Sequence, residues 1–215
     1  MIAVLWVELT EWRQAECRRS LMLLTLSLGA VFLVTAARPD WCLAALTANL
    51  LWLSLRAGQG RWNQASPEDW LATAGLKPGQ VVAGKAGAVW CLNLLLILIS
   101  LPLLTALQIL WGIPWRLLGN VCLLWLGAAA VVAMLPLVLG KLGDYGELLA
   151  VATVGGWLIA TLMLKGLAVW NPFIQVFRIM QGREVHAFQW CGVYFGLAAV
   201  LALLLLVRLR RVVQA

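Results

Sequence analysis

Long apolar runs separated by short polar stretches dominate the chain. Crossing a membrane takes roughly 17–25 predominantly apolar residues. Four runs meet that length: 86–110, 117–140, 148–169 and 188–207. Two more, 21–37 and 41–55, are shorter, and Arg38, Pro39 and Asp40 separate them. This pair spans if Arg19, Arg38 and Arg56 snorkel to the interfaces; the alternative is a re-entrant hairpin. Ahead of the first run, Ile2, Leu5, Trp6, Leu9 and Trp12 recur at helical spacing on one stripe. Glu8, Glu11, Arg18 and Arg19 fall mostly on the other side. That pattern predicts an amphipathic helix over 1–19 lying in the membrane interface. Between 170 and 187 the chain is too broken for a span, but Phe173, Val176, Phe177 and Met180 repeat at helical spacing and predict a short helix on or in the outer leaflet. The expected fold is all-α, a polytopic bundle of six transmembrane helices over 20–215. An inner loop covers 58–85 and an outer segment covers 170–187.

Composition turns this pattern into a choice of solvent. The chain is 63% hydrophobic and 12% charged, whereas an ordinary soluble domain is about half apolar and about 25% charged. A surface so poor in polar groups suits a bilayer, and the 13 tryptophans suit its interfaces. Orientation follows from the cations. With a cytoplasmic N-terminus the inner segments carry Arg13, Arg18, Arg19, Arg56, Arg61, Lys77, Lys85, Lys141, Arg208, Arg210 and Arg211. The outer side carries Arg38, Arg116, Lys165, Arg178 and Arg183. The excess predicts a multi-pass protein of the cell (inner or plasma) membrane with both termini cytoplasmic. The net charge of +7 then reflects topology and points to no nucleic-acid partner, because the cations do not gather on one soluble surface. Glu8, Glu11 and Glu16 precede the first apolar run, which argues against a cleavable signal.

Candidate chemistry is sparse. "GQVVAGKA" places Gly79, Gly84 and Lys85 one letter short of the phosphate-loop signature, with Ala86 where a hydroxyl belongs. A phosphate loop leaves a buried strand and opens a helix. Here the preceding text is "SPEDWLATAGLKP", with Ser66 as a helix N-cap, Pro67 at the first position, and Glu68 and Asp69 in the first turn. Gly75 stops that helix, and Pro78 with Gly79 is read as a turn. Lys85 is therefore read as the inner boundary of a span, not as a nucleotide ligand. The five cysteines form no C-x-x-C pair and His186 is the single histidine; no metal site, cofactor or nucleophile motif is expected, and the chain reads as no enzyme. Asn49, Asn93, Gln108 and Asn120 lie in or near spans as candidates for a substrate path; the plainer reading is bonding between helices. "KLGDYGE", 141–147, is a second inner loop.

The stretch "EDWLATAGLKPGQVVAGK", 68–85, resembles the permease subunits of type-2 ATP-binding-cassette (ABC) exporters, in which an acidic start, an "LLATP"-like segment and "GK" precede the third span. "NPFIQVFRIMQG", 171–182, followed by a last span and "RLRR", is similar to the family's C-terminal third. The departure is at Ala74 or Gly75, where the family often has proline. The resemblance implies two permease copies, as a homodimer in the lipid bilayer, paired with two copies of an ABC ATPase subunit that hydrolyses the ATP. It also implies that Glu68, Asp69, Trp70, Leu71 and Leu76 form the helix that docks on that ATPase. Two other classes compete. One is the haem-exporter permease of cytochrome c maturation, with outer tryptophans and His186 flanking a porphyrin. The other is a non-transport membrane assembly or scaffold protein. An adjacent ATPase gene favours the first two classes, and a haem absorption band singles out the second.

Overall fold

The computed structural model describes residues 38–58, 75–139, 144–183 and 186–214. The predicted interfacial helix over 1–19, the run 21–37 and the helix start at Ser66 to Leu71 lie outside the described residues. Among those described, every element is helical. They are α1 (Pro39–Gly58), α2 (Pro78–Trp111), α3 (Trp115–Leu139), α4 (Asp144–Met163), a 3-10 turn (Lys165–Trp170), α5 (Pro172–Met180) and α6 (Ala187–Gln214).

Three of these helices are long and apolar enough to cross a membrane: α2, α3 and, over Ala187–Val213, α6. At 1.5 Å per residue the 34 residues of α2 reach about 51 Å, well beyond a hydrocarbon core of about 30 Å. The run 41–55 is helical within α1, but α1 also carries Asp40, Asn49 and Arg56 and is not among the three. The run 148–169 is cut short. Its α-helical part ends at Met163, leaving Leu148–Met163 as a shorter apolar helix. The 3-10 turn takes the rest, and Lys165 opens that turn instead of lying inside a span.

The stretch read as a loop before Lys85 is helical from Pro78 onward. Pro78 and Gly79 are the first residues of α2 and not a turn. Proline at the first position gives up only an N–H that has no partner there. Val81 and Val82 are buried against Ala130, Ala133, Met134, Leu205 and Leu209, and this packing extends the helix through a glycine-bearing stretch. Lys85, read as the inner boundary of a span, is a residue of α2 and is 4% exposed. At the other end Gly112 takes φ +63° and ends α2, the left-handed conformation in which glycine carries no steric penalty. Residues 112–114 then join α2 to α3.

α3 is the hub. It packs against α1, α2, α4, α5 and α6, most extensively against α6. Its side chains explain why. Gly127, Ala128, Ala129, Ala130 and Ala133 are buried, and small residues let helices approach closely where lipid removes the hydrophobic drive for association. At Gly127 an added Cβ would meet the Tyr194 Cβ at 3.0 Å and the Cys191 Cα at 3.2 Å. α5 does not lie flat on the surface. Val176 and Ile179 are buried in the main cluster, Phe173 and Met180 pack against it, and Trp41 meets Phe177 edge to face at 6.4 Å.

Candidate functional site

The polar side chains inside the bundle sit at three levels. At the level of α5, Asn171 is fully buried. Its side-chain oxygen accepts from the backbone N–H groups of Phe173 (2.9 Å) and Ile174 (3.3 Å). Its amide donates to the Leu158 carbonyl (3.2 Å) and to Thr161 Oγ1 (2.8 Å). One residue therefore caps α5 and ties it to the last turns of α4, with Pro172 at the next position fitting the start of a helix. Gln175 donates to the Val169 carbonyl, and the Tyr194 hydroxyl donates to the Trp170 carbonyl at 3.0 Å. Trp170 and Trp190 pack edge to face at 5.3 Å, and Trp157 meets Tyr194 at 6.3 Å.

At mid-depth, two contacts fasten α1. Thr47 donates to the Leu43 carbonyl (2.7 Å) and accepts the Trp125 indole N–H (2.8 Å). Ser54 Oγ lies 2.8 Å from both the Leu50 carbonyl and Asn93 Oδ1, so two acceptors share one hydroxyl proton. Asn93 is 1% exposed and its Nδ2 has no hydrogen-bond partner.

At the far level, Arg208 Nη1 donates to the Val138 carbonyl (2.6 Å) and approaches the Leu137 carbonyl at 3.5 Å. These belong to the last turn of α3, where carbonyls lack helical partners and the helix dipole favours a cation. Leu76 packs against the cluster at this same level, beside Val81 and Leu209. It follows Gly75, which takes φ +59°, a conformation common just past a helix end.

Besides these contacts there is an apolar crevice of about 240 Å³ between α1 and α4, lined by Ala48, Leu51, Trp52, Leu55, Val151, Val154, Gly155, Leu158 and Phe173.

The structure does not gather the predicted path residues into one site. Asn49 is half-buried on α1, Asn93 is buried against Ser54, and Gln108 and Asn120 are half-buried on α2 and α3. None of the four lines the crevice. Of the predicted docking residues, Leu76 is placed as above, and Glu68, Asp69, Trp70 and Leu71 lie outside the described residues. His186 is exposed just ahead of α6. Among the described residues no group of three or more His, Cys, Asp or Glu side chains is placed to hold a metal ion. Reasoning from sequence missed Asn171 and Arg208 as anchors. The Asn171–Pro172 pair carries the cap signature that would have found the first; the second has no local signal, because its partners lie about 70 residues away. Compared with protein-family models, curated proteins and solved structures, the chain matches none.

Proposed function

We propose that the chain is the membrane permease subunit of an ATP-binding-cassette export complex. In this reading it is a multi-pass protein of the cell membrane with both termini cytoplasmic, and two copies assemble with a separate ATPase. The observation that carries the reading is the form of α2. It runs unbroken from Pro78 to Trp111, which is about 20 Å longer than a hydrocarbon core requires. Its first turns are packed to α3 and α6 through Val81 and Val82. Six residues, 72–77, lie between α2 and the acidic, apolar segment Glu68, Asp69, Trp70 and Leu71, and Leu76 packs on the same cluster as those first turns. A force applied to that segment by a partner enters the chain six residues ahead of a continuous helix. The near-miss phosphate signature supports no nucleotide site here, since Gly79 to Lys85 are turns of that helix and not a loop around an anion.

The test is pull-down of a co-expressed ABC ATPase subunit, with ATP turnover measured in liposomes. Trp70→Ala should weaken association by about 2 kcal/mol or more, as loss of an aromatic anchor does. Replacing Glu68 and Asp69 by Lys should weaken it further, because it reverses the expected charge and opposes the helix dipole. Wild-type association and turnover in both variants refute the coupling role.

A further inference from the structure

The last turns of α6 carry a pair of arginines, Arg210 and Arg211, to which the fold and the transport reading assign no contact. Leu205 and Leu209 are fully buried, and Arg208 is anchored on the end of α3. These three fix the rotation of α6 about its axis. The opposite side presents Leu203, Leu204 and Val207, all exposed. At about 100° per residue, Arg210 and Arg211 fall about 60° and about 40° to either side of the line through Val207. Both are exposed, and among the described residues neither side chain takes part in an ion pair or hydrogen bond.

Depth gives the second half of the argument. Counted from Phe188, about 20 helical residues cover a hydrocarbon core of about 30 Å and end at Val207. Arg210 and Arg211 lie about 4.5 and 6 Å further along the axis. That is the level of phospholipid headgroups, at the foot of a face that meets acyl chains. Two adjacent cations at that level place positive charge where anionic headgroups carry negative charge.

We propose that Arg210 and Arg211 form a docking site for the phosphate of an anionic phospholipid in the bordering leaflet. The proposal needs α6 to cross a bilayer and is independent of what the protein transports. The full chain, purified in neutral detergent, is mixed with equal amounts of phosphatidylglycerol and phosphatidylcholine, and bound lipids are counted by native mass spectrometry. Wild type should retain the anionic lipid with a preference on the order of tenfold, as two near-surface cations supply. R210Q/R211Q should lose most of it. R210K/R211K should keep most of it, which separates loss of charge from loss of fold. Arg116→Gln, at an exposed cation at the opposite end of α3, should leave it unchanged, and millimolar inorganic phosphate should not displace the lipid. No preference in wild type, an unchanged preference in R210Q/R211Q, loss in R210K/R211K or an equal loss in Arg116→Gln each overturns the site. Displacement by inorganic phosphate overturns the lipid as its occupant.

Discussion

The close approach of α3 and α6 at Gly127 gives a sharp test. Gly127→Ala adds one methyl group facing α6. Its Cβ would lie 3.0 Å from the Tyr194 Cβ and 3.2 Å from both the Cα and the carbonyl oxygen of Cys191. Favourable carbon contacts begin near 3.5 Å, so the shortfall is about half an ångström. The obstructing atoms are backbone or Cβ, so no rotamer change relieves them and α6 itself must shift. Overpacking of this kind costs about 1–3 kcal/mol. Alanine also favours the helix by about 1 kcal/mol over glycine, which blurs a comparison with wild type alone. Gly156→Ala removes that ambiguity. Gly156 is exposed within α4, with nothing within 4 Å of its added Cβ. Both variants gain the same propensity, so the difference between them isolates the steric cost, expected at about 1–3 kcal/mol with Gly127→Ala the less stable. The assay is unfolding in mixed micelles by dodecyl sulfate titration, followed by tryptophan fluorescence. Equal stability of the two variants would refute the close packing of α3 on α6.

Thr47→Val, nearly isosteric, should cost about 1–3 kcal/mol in the same titration, because it leaves the buried Trp125 indole N–H unpaired; Thr47→Ser should stay near wild type, and a neutral Thr47→Val means the bond contributes nothing. Asn171→Ala should cost about 1 kcal/mol for the lost cap, with roughly 0.6–2 kcal/mol more for the bonds to α4. It should speed hydrogen exchange at the Phe173 and Ile174 amides. Asn171→Asp should protect those two amides while losing the bonds to Leu158 and Thr161. Wild-type exchange in Asn171→Ala would dispose of the capping role.

Much of this architecture was legible as pattern. The helical content, the break at "WGIPW" and the short helix through Phe173, Val176, Phe177 and Met180 all follow from apolar period and turn residues. Two boundaries were not. The start of α2 reads as a loop because Gly79, Gly84 and Lys85 weaken every local helix signal; burial of Val81 and Val82 on α3 and α6 overrides them. The end of α4 reads as Val169 because an apolar run does not reveal where α-helix gives way to a 3-10 turn. Of the buried polar contacts, only Asn93 stood out in the sequence, and its partner did not. Ser54 and Asn93 lie 39 positions apart, and Thr47 and Trp125 lie 78 apart, so nothing local announces either bond. The four path candidates were chosen by polarity alone, and the bundle spreads them over α1, α2 and α3.

The central place of α3 has a consequence for the order of synthesis. The helix with the most neighbours is made before α6, the neighbour it packs against most extensively. At roughly 5–20 residues per second, the small-residue face around Gly127 waits several seconds for Cys191 and Tyr194 to arrive. The end of α3 waits longer still, until Arg208 reaches the Val138 carbonyl. During that interval the unfinished hub presents a smooth, closely approachable surface to any other helix in the membrane. A chain interrupted before α6 would keep that surface uncovered, so synthesis of α6 is the step that buries it.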